Sequence, residues 1–296
     1  MSDERRVVGL IGLGQMGGAM CRTLIRGRWQ VVAWDIARRA VDAAAAAGAQ
    51  VAADPADVAT RTSVILTSLP DAAVLRAVAF GEHGLVAGMC EGRVVVDTST
   101  ISPTDARGIA ADFARHGVDF LDAPVSGGVG GAESGQLAIM LGGPAEQVER
   151  VRPVLSSIGR AVVHCGPVGA GEIAKACNQL VVMTSLEAVA EALVLAGASG
   201  LDPWRVREAL LMGFAASPIL EIQGERMLRH NFAPGGRAIY HLKDIDTITD
   251  LASKAGVSLP GFAVVAQQME RLVAAGRGDL DHSAVITVVE PPSAPP

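Results

Sequence analysis

A glycine-rich segment near the N-terminus has the residue types and spacing to bind a phosphate. It follows the apolar run Val7–Ile11 and opens a helical pattern. In such a turn the first glycine permits a tight bend, the second leaves room for a pyrophosphate, and the third lets the helix pack closely on the strand. Because the chain holds 34 glycines, a plain glycine-rich turn is the alternative. The strand before the motif and the helix after it favour a dinucleotide site, and its six residues are Gly12, Leu13, Gly14, Gln15, Met16 and Gly17.

Asp35 ends the second predicted strand, about 20 residues beyond the glycine motif, where such sites carry an acidic residue. A carboxylate there accepts hydrogen bonds from the ribose hydroxyls and repels a 2′-phosphate, which favours NAD over NADP. Arg38 and Arg39 follow on the next predicted helix. They are either surface arginines or a place for that phosphate, so NADP is the less favoured alternative.

Lys175 lies near the start of a long apolar helical stretch, where a buried ammonium is costly unless it has a partner or a function. A neutral lysine there takes a proton from a hydroxyl, and its ammonium returns one to an alkoxide, so Lys175 is a candidate general acid and base. The alternative is a lysine whose side chain extends to solvent. Asn178 and Gln179 follow three and four residues later on the same side of the helix. Either amide is suited to orienting the lysine or binding a substrate hydroxyl.

A second glycine-containing turn, Ser126-Gly127-Gly128, follows another predicted strand. It therefore lies at a carboxyl end, where open α/β sheets bind their ligands. The serine hydroxyl and the glycine N–H groups suit a carboxylate, although the residues alone are equally compatible with a simple turn.

The elements that must position these residues alternate along the first 165 residues. The predicted strands are Val7–Ile11, Val31–Trp34, Val64–Leu69, Arg93–Thr98, Val118–Pro124, Leu137–Leu141 and Ala161–Cys165. The predicted helices are Met16–Arg28, Arg38–Ala47, Asp71–Phe80, Pro103–His116 and Ala145–Ser156. Strands that alternate with helices form a mainly parallel sheet, so residues 1–165 are predicted to be an α/β, Rossmann-like NAD-binding domain.

The pattern becomes all-helical after Gly166. Residues 170–199 predict one helix about 45 Å long, apolar around most of its circumference and therefore buried on nearly all faces between two domains. Further helices are predicted at 203–212, 219–229, 240–255 and 261–274. Residues 166–290 are thus expected to form a helical domain for substrate binding and oligomerisation, and the proline-rich residues 291–296 a disordered tail.

Composition narrows the possible partners and the compartment. A net charge of −6 argues against nucleic acid and anionic membranes. The most apolar region carries Glu187 and Glu191, which argues against a membrane span. The cysteines lack metal-ligand spacing and indicate a reduced, cytoplasmic protein with no metal site; they are Cys21, Cys90, Cys165 and Cys177.

Four ordered motifs resemble those of the β-hydroxyacid dehydrogenases, the family of 3-hydroxyisobutyrate dehydrogenase and tartronate semialdehyde reductase (2-hydroxy-3-oxopropionate reductase). The motifs, which span nearly the whole chain, are Gly9-Leu-Ile-Gly-Leu-Gly-Gln-Met-Gly17, Asp122-Ala-Pro-Val-Ser-Gly-Gly128 continuing to Gly143, Gly166-Pro-Val-Gly-Ala-Gly171 with Lys175 and Asn178, and Lys243-Asp244-Ile245.

The resemblance implies a role for each matching residue. It implies that Lys175 is catalytic and that the substrate is a small anionic hydroxy acid or semialdehyde. It also implies homodimers or homotetramers. The substrate-binding residues would be Ser126, Gly127, Gly128, Asn178 and Gln179. The cofactor would contact Leu69, Pro70, Thr100 and Lys243 besides the glycine motif and Asp35.

Three segments resemble tartronate semialdehyde reductase more than 3-hydroxyisobutyrate dehydrogenase: Asn231–Arg237, the Asn178-Gln179 pair and Asp281–Ala284. The expected reaction is therefore reduction of a short 3-oxo acid with a 2-hydroxyl. Gly236 stands where relatives usually carry phenylalanine, which predicts a larger pocket.

Other assignments remain open. Relatives with the same motifs act on 3-hydroxyisobutyrate, threonate, serine, sulfolactaldehyde or 4-hydroxybutyrate. Imine reductases are more distant and generally lack the lysine. A non-catalytic, redox-sensing NAD-binding module is the alternative of another class.

Overall fold

The computed structural model describes residues 6–89 and 91–291. The chain divides into two compact units, Met1–Lys175 and Ala176–Pro296. The division falls within one helix, Ala170–Ala198, so this helix contributes to both units. Of the predicted tail, residues 292–296 lie outside the described residues, as does Cys90.

Nine strands, counted over the described residues, form one sheet in the first unit, in the order β3-β2-β1-β4-β5-β6-β8-β7 with β9 beside β8. The six strands from β3 to β6 are mutually parallel, whereas β8 runs antiparallel to both β6 and β7. The strands are β1 (Val7–Ile11), β2 (Gln30–Trp34), β3 (Gln50–Val51), β4 (Val64–Thr67), β5 (Val94–Asp97), β6 (Asp119–Asp122), β7 (Val125–Ser126), β8 (Leu137–Gly142) and β9 (Gly159–Gly166).

Helices cover both faces of this sheet. They are α1 (Gln15–Arg26), α2 (Arg38–Ala46), α3 (Pro55–Arg61), α4 (Ala72–Phe80), α5 (Leu85–Gly88), α6 (Pro103–Ala114), α7 (Gly128–Ser134) and α8 (Ala145–Ile158). Leu10 of β1 packs with α1, α2 and α8 on one face, and its neighbour Ile11 packs with α3, α4 and α6 on the other. Burying a side chain of this size stabilises the fold by about 1.5–3 kcal/mol. The predicted Rossmann-like sheet is confirmed.

Five short elements of the first unit were not predicted from the sequence: β3, β7, α3, α5 and α7. Helix α3 begins at an N-cap, Asp54, whose carboxylate accepts from the N–H of Asp57 2.7 Å away, followed by a proline. Helix α7 has four glycines or small residues in its first five positions, and glycine is a poor helix former. Its sequence therefore resembles that of a loop.

The second unit is helical. Its elements are the remainder of α9 (Ala170–Ala198), α10 (Pro203–Leu211), a π-helical segment Ile219–Gln223, α11 (Gly224–Leu228), α12 (Tyr240–Ala255), α13 (Pro260–Leu272), a second π-helical segment Val273–Arg277, a 3-10 helix His282–Val285 and α14 (Ile286–Val289). The last two elements were not predicted, and the predicted helices at 219–229 and 261–274 each include a π-helical segment. Leu186 and Leu193 of α9 pack with Met227, Leu272 and other apolar residues in one core.

The prediction that α9 is buried on nearly all faces is wrong for this chain. Leu186, Ala190 and Leu193 are buried at helical spacing, whereas Val181 and Leu195 are 61% and 67% exposed. The helix packs through one face, as amphipathic helices do, although its other side is also apolar. By length and composition alone, α9 would pass as a membrane span. That test is also met by the core helix of a globular domain, and the buried leucines place α9 in such a core.

Candidate active site

The glycine motif forms a tight loop between β1 and α1, and each glycine has its own steric reason. Gly12 has a φ of +88°, and a Cβ there would lie 2.2 Å from the carbonyl oxygen of Ser68. A Cβ on Gly17 would lie 1.8 Å from the carbonyl oxygen of Gly12, so the helix approaches the loop closely. A Cβ on Gly14 would meet nothing within 4 Å. The open space therefore lies beside Gly14, the second glycine of the motif, where a pyrophosphate would approach the backbone.

The N-terminus of α1 is available to an anion. Over the described chain, no side chain caps α1 at Gly14, and its first turn holds no acidic residue. Gln15 and Met16 begin the helix, so their N–H groups have no partner one turn earlier. These N–H groups and the partial positive charge of the helix end suit phosphate groups. The loop thus fits the dinucleotide cofactor predicted from the motif.

Asp35 lies directly after β2 and is bonded to the same loop. Its carboxylate accepts the N–H of Leu13 at 2.6 Å and that of Ala37 at 2.7 Å. Arg38 is paired with Asp42, its Nε 2.9 Å from the carboxylate, and both side chains are largely exposed. Asp35 therefore places a carboxylate against the glycine loop, where the motif predicts the adenosine ribose.

Leu69 and Pro70 follow β4, and Thr100 follows β5, at the same carboxyl edge of the sheet. The N–H of Leu69 donates to Ser99 Oγ at 2.9 Å, which joins the two loops. Ser99 Oγ in turn donates to the buried carboxylate of Asp97 at 2.6 Å. Burial raises the pKa of Asp97, against the hydrogen bonds from Ser99 and Thr67. The structure thus brings the predicted cofactor-lining positions of this unit to one edge.

Lys175 is bound to the loop that contains Ser126. Only 8% of its surface is exposed, and its Nζ donates to the carbonyl oxygen of Val125 at 2.9 Å. Ser126 is half-buried beside that carbonyl. Gly127 and Gly128 follow with φ of +131° and +62°, values that favour glycine. The alternative of a lysine that extends to solvent is therefore wrong, because the ammonium is buried against the predicted substrate loop.

Asp122 holds the first turn of the helix that carries Lys175. Its carboxylate, fully buried at the end of β6, accepts the N–H groups of Gly169 at 2.7 Å and Glu172 at 2.9 Å. A Cβ on Gly171 would lie 2.8 Å from that carboxylate, so the helix can approach only with glycine there. Burial raises the pKa of Asp122, and the backbone N–H groups oppose the rise. Asp122 thus fixes the start of the helix that carries Lys175.

Asn178 and Gln179 belong to the second unit, as does Lys243. Asn178 Nδ2 donates to Gln179 Oε1 at 3.0 Å, and Gln179 Nε2 donates to Asp244 Oδ2 at 2.6 Å. Asp244 follows Lys243 in α12 and is buried. The two predicted amides therefore form one hydrogen-bonded set with the acidic residue of the Lys243-Asp244 motif.

Two family models match this chain, one in each part of the sequence. Residues 7–166 match the family model described as the NAD binding domain of 6-phosphogluconate dehydrogenase. Residues 169–289 match the model described as NAD-binding of NADP-dependent 3-hydroxyisobutyrate dehydrogenase. The 2-hydroxy-3-oxopropionate reductase of Escherichia coli K12 is 38% identical over 283 residues, which are 96% of this chain and 97% of the relative. The chain belongs to the 3-hydroxyisobutyrate dehydrogenase family.

Two further relatives span the same length. The 2-(hydroxymethyl)glutarate dehydrogenase of Eubacterium barkeri is 37% identical over 96% of this chain and 94% of its own. A solved structure of 3-hydroxyisobutyrate dehydrogenase from Mycobacterium tuberculosis with L-serine matches with a TM-score of 0.87 and 32% identity, over 97% of this chain and 99% of that one. As the sequence predicted, the protein is a hydroxyacid dehydrogenase that uses a nicotinamide cofactor, NAD or NADP.

Asp122 and the carbonyl of Val125 are the parts of the site that sequence reasoning missed. The residues Asp122 contacts lie 47 and 50 positions away, so only the fold joins them. Gly236, predicted to enlarge the pocket, lies beside a ring: a Cβ there would be 3.5 Å from two atoms of His282.

Proposed function

We propose that the protein reduces 2-hydroxy-3-oxopropionate, or a closely related semialdehyde of a short hydroxy acid, with Lys175 as the proton donor. The observation that carries this proposal is the buried Lys175 ammonium bound to the loop of Ser126. In the reverse direction the neutral lysine accepts the hydroxyl proton of the product acid.

The glycine loop, with Gly12–Gly17, would hold the pyrophosphate and Asp35 the adenosine ribose, with Leu69, Pro70 and Thr100 along the same edge. When bound, the reduced nicotinamide supplies the hydride to the carbonyl carbon. The negative charge of Asp35 at the loop supports NAD as the cofactor over NADP, because it repels a 2′-phosphate. Lys243 would contribute a further cofactor contact.

Lys175 would transfer one proton in each turnover. During reduction its Nζ gives a proton to the carbonyl oxygen, which becomes the new hydroxyl, and the lysine then regains a proton from solvent. Its hydrogen bond to Val125 limits where that proton can be delivered. The hydroxyl of Ser126 and the N–H groups of Gly127 and Gly128 would bind the substrate carboxylate. The two glycines have positive φ values, which residues with a side chain rarely adopt.

The substrate assignment is supported by the relative at 38% identity, which is named for 2-hydroxy-3-oxopropionate. Asn178 and Gln179 add support, because a pair of amides suits a substrate with a second hydroxyl. We further propose that the protein works in the cytoplasm, where the exposed free thiols of Cys165 and Cys177 would stay reduced. A homodimer or homotetramer is proposed for the assembly.

A substrate panel tests the proposal. Oxidation of NADH and of NADPH is followed by absorbance with 2-hydroxy-3-oxopropionate and the semialdehyde of 3-hydroxyisobutyrate, and reduction of NAD with L-serine and L-threonate. We expect the highest kcat/KM with 2-hydroxy-3-oxopropionate and NADH. A higher kcat/KM for any other pair would overturn the substrate assignment. Tight NADH binding without turnover of any compound would instead favour a non-catalytic module.

A further inference from the structure

A chain of side chains in the second unit links Gln179 to a buried pair of histidines. The Asp244 oxygen that accepts from Gln179 lies 3.6 Å from Nδ1 of His241. Nε2 of His241 lies 2.8 Å from Nδ1 of His282. His241 and Asp244 are 6% and 9% exposed, so water has little access to their contact, which at 3.6 Å is longer than a hydrogen bond.

Asp281 anchors the far end of this chain. Its carboxylate is 1% exposed and accepts the N–H groups of Gly235 at 2.9 Å and Gly236 at 3.0 Å. Ser283 donates to the other oxygen through its hydroxyl at 2.7 Å, and Arg226 lies 3.4 Å away. His282 Nε2 stands 3.9 Å from Asp281, so the ring is packed against a carboxylate that already has several donors.

The charge of Asp244 favours one direction for the hydrogen bonds of this chain. An ionised carboxylate only accepts, so Gln179 must present its amide nitrogen to Asp244 and its oxygen to Asn178. The same charge favours the tautomer of His241 whose Nδ1–H faces Asp244 across 3.6 Å. In its neutral form His241 then accepts at Nε2, and the donor is Nδ1–H of His282.

The electrostatic surroundings of His282 decide its protonation state. Burial lowers the pKa of His282, and Arg226 adds to the effect, while Asp281 opposes it. His282 is therefore neutral at neutral pH and carries a single ring proton. With that proton on Nδ1, His282 donates to His241, whose Nδ1–H faces Asp244 at a distance longer than a hydrogen bond. Asn178 uses its amide nitrogen on Gln179 and keeps its amide oxygen as an acceptor.

We propose that His241 and His282 are positioning residues that hold Asp244, and through it the amides of Gln179 and Asn178, so that Asn178 accepts a hydrogen bond from the 2-hydroxyl of the substrate. The inference rests on the proposed function, in which these amides contact the substrate. It gives the histidine pair a role in specificity: a site built to accept a hydroxyl discriminates against the analogue that lacks it.

The kinetic test compares two acids that differ only in that hydroxyl, glycerate and 3-hydroxypropionate, oxidised with NAD. His282→Leu removes the donor to His241 at similar size. We expect KM for glycerate to rise about tenfold, the upper end for one lost hydrogen bond, with kcat within about twofold. KM for 3-hydroxypropionate and the Kd for NADH should not change.

Two variants serve as controls. His282→Asn places an amide N–H near the position of Nδ1 and should restore the glycerate KM to within about threefold of the wild type. His230→Gln changes an exposed histidine of the same unit and should have no effect. An unchanged glycerate KM in His282→Leu, or a fall in kcat with KM constant, would overturn the proposal.

A second measurement uses the wild-type protein and needs no turnover. With ¹⁵N-labelled histidine, NMR above neutral pH reports which ring nitrogen carries the proton. The proposal requires Nδ1–H on both His241 and His282, and Nε2–H on both would refute it. Absence of turnover with either acid in the wild type would count against the proposed function, while this tautomer result still decides the histidine chain.

Discussion

Asp122 anchors the N-terminal turn of α9 three residues before Lys175, and its replacement by alanine is expected to damage activity more than binding of the cofactor. The carboxylate is fully buried and accepts two backbone N–H groups, those of Gly169 and Glu172. Without it both donors are buried unpaired, at a cost of about 1–3 kcal/mol each. The raised pKa shows that burial of the charge itself opposes folding, so removing it offsets part of the loss.

We therefore expect Asp122→Ala to lower the free energy of unfolding by about 2–4 kcal/mol, the lower part of the range for two unpaired donors. Because the helix would no longer be held against β6, Lys175 would move, and a displacement of about 1 Å costs on the order of 100-fold in rate. Urea unfolding measures the first effect, and kcat/KM with the best substrate of the panel measures the second. NADH affinity, which depends on the glycine loop, should change less than about threefold.

Asp119→Ala is the matched control, because this aspartate begins the same strand and is only half-buried. It should cost less than about 1 kcal/mol and leave kcat unchanged. If Asp122→Ala were as stable and as active as Asp119→Ala, the reasoning that Asp122 positions Lys175 would be refuted.

Three further outcomes are expected. Burial raises the pKa of Glu187 from 4.5 to about 7, and the nearby charge of Glu191 adds to the rise. At a pH between these two values the folded chain therefore keeps a proton that the unfolded chain has lost. Its free energy of unfolding should therefore fall by about 3 kcal/mol as pH rises through that window, and urea titrations of Glu187→Gln should show this slope removed; an identical slope would contradict the assignment. Gly14→Ala should fold like the wild type but bind NADH at least about tenfold more weakly in fluorescence titration. Gly17→Ala should instead lose stability, because a Cβ at position 17 meets a backbone oxygen. Asp35→Asn should raise kcat/KM with NADPH relative to NADH, and an unchanged ratio would remove Asp35 from cofactor choice.

The sequence predicted the features that depend on local pattern. The alternation of apolar runs with helical segments predicted the parallel sheet, and the spacing Gly12–Gly17 predicted a loop whose open space the structure places at Gly14. The absence of proline from residues 170–199 predicted α9 to within one residue of its end. Each of these follows from backbone preferences and periodicity within a short window.

What the sequence did not predict depends on contacts between distant residues. Asp122 caps a helix that begins 48 positions later, and His241 meets His282 across 41 positions, so no local pattern indicates these contacts, although Asp122 and His282 stand in segments that carry the family resemblance. Helix α3 did carry a signal, the Asp54-Pro55 start, but its seven residues are too few to show a period. The prediction that α9 is buried on nearly all faces was wrong because apolar composition does not show which face of a helix packs against the core.

Replacement of Lys175 tests the central claim most directly. Lys175→Ala should lose about 10²–10⁴-fold in kcat/KM, keep NADH binding within about twofold, and regain activity when small primary amines are added, in proportion to their basicity. This result would identify the ammonium group as the proton donor. Substantial turnover by Lys175→Ala without added amine would contradict the account and remove Lys175 from the proton transfer.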